Sequence, residues 1–241
     1  MAAAAIAFGF APAAAAQQVK PAAPAPAASM NYTKSRAAAP PGVARYEDMA
    51  TQRSFTLDLS GGDALMKFDD SPEVYVLRGT SAQRGDTIFR SDAGELMLRV
   101  TEQDNVISYL GDKDGAPADI VGVVTSLNGR PMTASLTQGL KDAAQRLSRL
   151  AGHDVTIFGT GEFANSEEWI ADALMVMVFG VERANAMASK SATKLQGVRI
   201  VRAKTPQAVF RDGQLILGVN PVEGYAGRPS SEAIANALTA K

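Results

Sequence analysis

The chain has 241 residues, and its 24 basic side chains nearly balance its 25 acidic ones. Such a balance gives no general attraction to phosphate backbones or anionic lipids, so we predict no nucleic-acid partner. Cysteine is absent and His153 is the single histidine, which excludes disulfides, thiolate catalysis and zinc sites made of cysteine or histidine clusters. We therefore expect neither a bound metal nor a cofactor.

The N-terminal segment has the composition of an export signal, since 20 of the chain's 43 alanines fall in the first 50 residues. Residues 1–16 are apolar, with Ala14 and Ala16 placed for cleavage before Gln17. No Lys or Arg precedes this run, so a disordered alanine-rich tail is the alternative. Pro12 interrupts the run, which is shorter than the ~20 residues of a membrane span. We predict a periplasmic or secreted protein with no transmembrane span after cleavage.

Residues 17–45 predict a disordered linker, because they are rich in Pro and Ala and lack apolar periodicity. The charged residues of this linker are all basic, so contact with an anionic membrane or cell-wall surface is an alternative to a solvated spacer. After position 50 the chain carries 20 basic and 23 acidic residues. We divide this part into a β-rich region, residues 46–127, and an α+β region, residues 128–241. The sequence leaves open whether the two are separate domains.

The first region has the period of β-strands. Phe55, Leu57 and Leu59 alternate with polar residues and predict a half-buried strand. Similar runs, separated by Gly, Asp and Pro turns, predict strands at residues 64–68, 73–77, 87–90, 95–101, 106–110 and 120–125. This spacing is typical of an antiparallel meander, sandwich or small barrel. Small barrels often hold a ligand, so a binding role predicts an apolar cavity here, and a filled core is the alternative.

The second region changes to a helical period. Leu136, Leu140 and Leu147 lie on one stripe of a helix that Gly152 would end. A strand follows at residues 153–158, and then comes a long helix from Asn165 or Ser166 to about residue 190, apolar all round at its centre. Strands are predicted at 197–202, 207–211 and 214–219, the last two joined by an Asp-Gly hairpin turn, before a final helix at 230–238. The predicted fold class is α+β with a mixed or antiparallel sheet.

A glycine loop between a predicted strand and the long helix is the candidate ligand-binding motif. Gly159, Thr160 and Gly161 occupy the position of a dinucleotide-binding turn, and backbone N–H groups there could bind a small anion or a peptide. Glu162 places a negative charge in the loop, which argues against a dinucleotide. A plain tight turn is the alternative.

The same segment supplies the candidate catalytic residues, His153, Glu162, Glu168 and Asp172. Glu168 and Asp172 lie four residues apart on one helical face, and carboxylates can perform general acid–base chemistry. His153 alone titrates near neutrality. The alternative is structural, because acidic residues are favourable in the first turns of any helix.

A basic stretch lies near the hairpin. Arg199, Arg202 and Lys204 come close in sequence to Arg211. On an edge strand such charges protect against edge-to-edge aggregation. A strip that binds carboxylate or phosphate groups is the functional alternative.

Three segments, RSFTLDLSGGDALMKF, FGTGEFANSEEW and DGQLILGVNP, together with the alanine-rich N-terminus, carry a family resemblance. The chain resembles a family of uncharacterised exported alphaproteobacterial proteins that is described as a domain of unknown function. This resemblance implies no activity and transfers no site residue.

We predict an exported, non-catalytic binding or envelope-associated protein. Its partner would be a small molecule, a peptide or a component of the cell envelope. The alternative is a carboxylate-dependent hydrolase or glycan-modifying enzyme that uses the residues around 159–172.

Overall fold

The alternating residues of the first region close eight antiparallel strands into a barrel. The structure is a computed structural model that describes residues 42–133, 135–188 and 190–240. The predicted signal, residues 1–16, and nearly all of the linker lie outside the described residues. The barrel strands are β1 (Val43–Asp48), β2 (Ser54–Asp58), β3 (Ala64–Phe68), β4 (Val74–Ser81), β5 (Thr87–Arg90), β6 (Leu96–Val100), β7 (Val106–Ser108) and β8 (Ala116–Gly122).

Side chains fill the interior of this barrel. Tyr46, Phe55, Phe68 and Tyr75 follow one another across β1 to β4, with ring centroids 5.7, 6.3 and 5.8 Å apart. Their register places these rings on the inner face of the barrel. Aliphatic residues of β6, β7 and β8 lie on the same face, and β5 contributes Phe89. A binding role predicted an apolar cavity in the β-rich half. The structure has an aromatic and aliphatic core there instead.

Strand β1 closes the barrel by pairing with both β2 and β8. It begins at Val43, inside the segment that the sequence assigned to the linker. Tyr46 on this strand is buried against Phe55 of β2. The sequence did not predict β1, because this strand is held in place by its pairing with β2 and with β8, and β8 is remote in the chain.

Three α-helices and a four-stranded sheet follow in the described part of the second region. They are α1 (Leu136–Ala151), β9 (Thr156–Phe158), α2 (Glu167–Met187), β10 (Gly197–Arg202), β11 (Gln207–Arg211), β12 (Gln214–Val219) and α3 (Ser231–Thr239). Strand β10 is parallel to both β9 and β12, whereas β11 and β12 form the antiparallel hairpin. The predicted α+β class, with its long central helix and its hairpin, is confirmed.

Helix α2 forms the centre of the second region. Its buried residues, among them Leu174, Met177 and Val181, pack against α1, α3 and one face of the sheet. Gly180 permits the approach of α3, since a Cβ atom there would lie 2.6 Å from Ile234. Of the two predicted starts, Ser166 is the residue that precedes the helix, and its side chain makes no capping hydrogen bond.

A buried ion pair joins α2 to the loop before α3. Asp172 of α2 accepts a hydrogen bond from Arg228, and their side chains are 3% and 5% exposed. Arg228 also donates to the carbonyl oxygen of Val74 on β4, at 3.1 Å. The amide of Ser231, at the start of α3, donates to Glu73 at 2.8 Å. These contacts attach the barrel to the helices through polar groups.

We expect Asp172→Ala to lower the free energy of unfolding by about 3–5 kcal/mol, because Arg228 keeps a buried charge without a partner. The matched control is Arg130→Ala, which removes the ion pair to Glu168 at an arginine that is 81% exposed. This control should cost less than about 1 kcal/mol. Urea unfolding of the three proteins measures both values, and similar losses in the two variants would contradict a structural role for the buried pair.

Candidate functional site

A cavity of about 270 Å³ lies at one end of the barrel, between its rim and helices α2 and α3. The antiparallel order brings the starts of β4 and β6 and the ends of β3 and β7 to this rim. The barrel side of the cavity is lined by Arg53, Phe68, Glu73, Tyr75, Glu95 and Tyr109, and the helix side by Phe179, Arg183, Ser231 and Glu232. We call this space the mouth cavity.

Glu73 is the structural carboxylate of the mouth cavity. Its side chain is buried and accepts the hydrogen bond from the Ser231 amide, at the positive end of α3. The Tyr75 hydroxyl lies 3.3 Å from the Ser231 hydroxyl. Burial, followed by the negative charge of Glu73, raises the pKa of Tyr75, so this phenol stays protonated and serves as a hydrogen-bonding group.

Glu232 and Glu95 form a pair of interacting carboxyl groups. Burial is the largest cause that raises the pKa of Glu232, and together with the hydrogen-bonding interaction with Glu95 and the charge of Glu95 it brings this pKa to about 7. Ser91 and Arg183 act in the opposite direction. One oxygen of Glu232, Oε2, is buried and has no hydrogen-bond partner among the described residues. The Glu232 carboxyl group therefore binds a proton near neutral pH.

Two arginines line the mouth cavity, and they differ in whether an acidic residue of the described chain pairs with them. Arg53 pairs with Asp70 at 2.9 Å and lies 3.6 Å from the centre of the Phe68 ring, so its position is fixed. Arg183, on α2, is exposed and forms no ion pair with any residue that the structure describes. Its positive charge lowers the pKa values of both Tyr75 and Glu232 from the levels that burial alone would set. Arg183 is therefore the cation that remains available to a ligand.

The catalytic candidates from the sequence do not line the mouth cavity. His153 donates from Nε2 to the carbonyl oxygen of Leu195 at 2.9 Å, and Glu168 pairs with Arg130 at 2.8 Å.

Asp172 is the buried partner of Arg228. The Glu162 side chain is exposed, while its carbonyl oxygen accepts a hydrogen bond from Arg202 at 3.0 Å. The side chains of His153, Glu168 and Asp172 thus have local structural roles, whereas Glu162 contributes its backbone carbonyl. Glu95 and Glu232, which the structure does bring together, were missed because no spacing or motif links two carboxylates so far apart in the chain.

The glycine loop is a tight turn packed against the sheet. Gly159 has a φ of 91°, and a Cβ atom there would clash with the carbonyl oxygen of Ile200 on β10. Thr160 and Gly161 belong to a single 3-10 turn, whereas α2 begins only at Glu167. The loop therefore does not supply the first amide groups of α2, as a dinucleotide or anion site at a helix start would require.

The chain can be assigned to a family. Residues 26–238 match the family described as Domain of unknown function (DUF4908). The chain belongs to this family. This match confirms the family of unknown function that the three sequence segments indicated. Alphaproteobacterial origin and export remain predictions. No curated protein and no solved structure in the comparisons matches the chain.

The description of the family names no activity. Within the described ranges, no three His, Asp or Glu side chains are grouped so as to hold a metal ion. No helix in those ranges is long and apolar enough to cross a membrane.

We expect Glu232→Gln to stabilise the protein above neutral pH. The pKa of Glu232 is about 7 in the folded state and near the ordinary glutamate value of 4.5 in the unfolded chain. Its contribution to stability is therefore complete below about pH 4.5 and is lost as the pH rises through about 7. Thermal unfolding should show a melting temperature advantage of the variant that grows between about pH 5 and about pH 8.

The matched control for this pH series is Glu102→Gln, which neutralises an exposed carboxylate outside the mouth cavity. Its melting temperature relative to the wild type should change little over the same range. A Glu232→Gln advantage that is the same at every pH would rule out the raised pKa of Glu232.

We expect Gly159→Ala to destabilise the fold by about 1–3 kcal/mol, because alanine strains a left-handed turn and meets the Ile200 carbonyl. Gly161→Ala should be nearly neutral, since no atom lies within 4 Å of the Cβ position. Denaturant unfolding measures both changes. Equal stability of the two variants would show that the turn is less constrained than its geometry indicates.

Proposed function

We propose that the protein is an exported, non-catalytic binding protein whose ligand is a small polar molecule held in the mouth cavity. The observation that carries this proposal is the presence of unmatched groups of both signs in one cavity. Arg183 has no ion-pair partner in the described chain, and Glu232 has a buried oxygen without a hydrogen bond. A buried polar atom without a partner costs about 1–3 kcal/mol, which a ligand donor would offset.

The size of the mouth cavity limits the ligand. Its volume of about 270 Å³ lies just below the range of roughly 300–1,000 Å³ for the pockets of drug-sized ligands. A single amino acid, a dipeptide or a monosaccharide has a suitable volume. The mouths of β-barrels are also among the preferred positions of ligand sites.

The chemistry of the lining defines the ligand further. The Glu95–Glu232 pair favours an ammonium or hydroxyl donor, and Arg183 favours a carboxylate or another acceptor. Tyr109 and Phe179 offer aromatic surface beside these charged groups. Amino acids, short peptides and amino sugars carry this combination of groups. They are also fragments of cell-envelope polymers, which fits the predicted export of the chain.

The hydrolase alternative has less support. Its four candidate residues, His153, Glu162, Glu168 and Asp172, do not line the mouth cavity. The side chains of His153, Glu168 and Asp172 make separate structural contacts. A non-catalytic binding role is the function that this geometry supports better.

The test is native mass spectrometry of the protein recovered from the periplasm of an expressing bacterium. We expect a chain that begins at Gln17 and carries a bound small molecule with the size of an amino acid, a dipeptide or a monosaccharide. Arg183→Gln removes the free cation and should raise the dissociation constant roughly tenfold, the effect of about 1.4 kcal/mol, so that the occupied fraction falls. The matched control is Arg149→Gln on the exposed side of α1, which should retain the wild-type occupancy.

Two results would contradict the proposal. Retention of an unprocessed chain in the cytoplasm would refute export. A ligand-free protein that also fails to bind added amino acids, dipeptides and amino sugars in calorimetry would refute the binding role.

A further inference from the structure

The four-stranded sheet has one face that no described element covers. Alternate residues such as Val198 and Leu215 are buried beneath the helices. The intervening residues form a row across the sheet on the other face, in the order Val209, Ile216, Arg199 and Phe158. We call this the open sheet face.

An uncovered face is unusual in a sheet that contains parallel strands. Parallel strands such as β9, β10 and β12 normally have both faces covered. Here Phe158 is 52% exposed and Val209 is 39% exposed. A depression of about 480 Å³ on this face is lined by Phe158, Ile216, Arg199, Arg211, Asp212 and Gln214. Apolar surface and positive charge therefore lie side by side.

The two arginines of the open sheet face have no partner in the described chain. Neither Arg199 nor Arg211 has an ion pair or a side-chain hydrogen bond to a residue that the structure describes. Arg202 of the same strand differs, because it donates to the carbonyl of Glu162 and lies 4.9 Å from the Phe163 ring centre. Asp212 is the one acidic side chain that lines the depression.

Charge decides which occupant fits this face. An anionic membrane or a nucleic acid is disfavoured, because the chain has a net charge of −1 and the depression offers two arginines only. A symmetric second copy would bring two more arginines to this face, with only Asp212 of each depression to balance them. The N-terminal residues 1–41 contain Lys20, Lys34 and Arg36 and no acidic residue, so their charge has the same sign as that of the face.

We infer that the open sheet face binds an acidic segment of a partner protein, with carboxylates paired to Arg199 and Arg211 and apolar side chains against Phe158 and Ile216. Guanidinium groups bind carboxylates through paired hydrogen bonds, which gives such a contact its direction and specificity. An extended segment with alternating side chains could present both kinds of group to the sheet. This site is separate from the mouth cavity and does not depend on the function proposed for it.

The test uses a fluorescein-labelled peptide in which Glu alternates with Val, and a control peptide in which Lys replaces Glu. Fluorescence anisotropy should show saturable binding of the acidic peptide to the full chain and none of the basic one. The double variant Arg199→Gln/Arg211→Gln should weaken the binding by at least roughly tenfold. Arg149→Gln, an exposed arginine on the helical layer, should leave it unchanged.

The peptide's position is checked by amide chemical shifts, which should change in β9, β10 and β12 and not at the barrel rim. This measurement uses the wild-type chain, so it decides the question even if the double variant does not fold. Equal binding of both peptides, shifts confined to another surface or the absence of binding would each overturn the inference. Binding of phosphatidylglycerol vesicles in place of the acidic peptide would overturn it as well.

Discussion

The buried ion pair between Asp172 and Arg228 is the contact on which the arrangement of the two regions depends. Removing two charges from water is costly, and the attraction between them offsets this cost only if their hydrogen bonds are satisfied. Arg228 meets that condition by donating to both Asp172 and the Val74 carbonyl. It thereby connects the second turn of α2 with the start of β4. Because Arg228 shortly precedes α3, the same pair also fixes where α3 begins, and this places Ser231 and Glu232 at the rim of the barrel.

The mouth cavity is a consequence of this polar joint. The barrel and the helical region each have their own apolar core, and these cores are separate clusters. Between them lie buried polar groups such as Glu73 and Ser231. Buried polar groups need hydrogen-bond partners, and a cavity remains where some of these groups have none. Glu232 is the clearest case, since its burial beside Glu95 raises its pKa to about 7 while one of its oxygens has no partner among the described residues.

The sequence predicted the fold better than it predicted the site. Strands β3 and β5 and the hairpin of β11 and β12 were placed at their observed residues, because apolar alternation and an Asp-Gly turn are local signals. Asp212 and Gly213 both have positive φ, as such a hairpin turn requires. Strand β1 was missed, since only β2 and β8 give it order. The site candidates failed to converge because each local feature, such as Gly159 or Glu168, already has a local structural explanation.

The sequence by itself determined the α+β class, the hairpin, the capped first helix and the buried central helix, because period and turn chemistry act over a few neighbouring residues. The tertiary structure decided the closure of the barrel by β1 and β8, the parallel placement of β10 beside β9 and β12, and the face of the sheet that is left open. It also decided which ionisable groups meet, as Glu95 and Glu232 show. Proximity, burial and the resulting shift in pKa arise from contacts between remote parts of the chain, and no local pattern contains them.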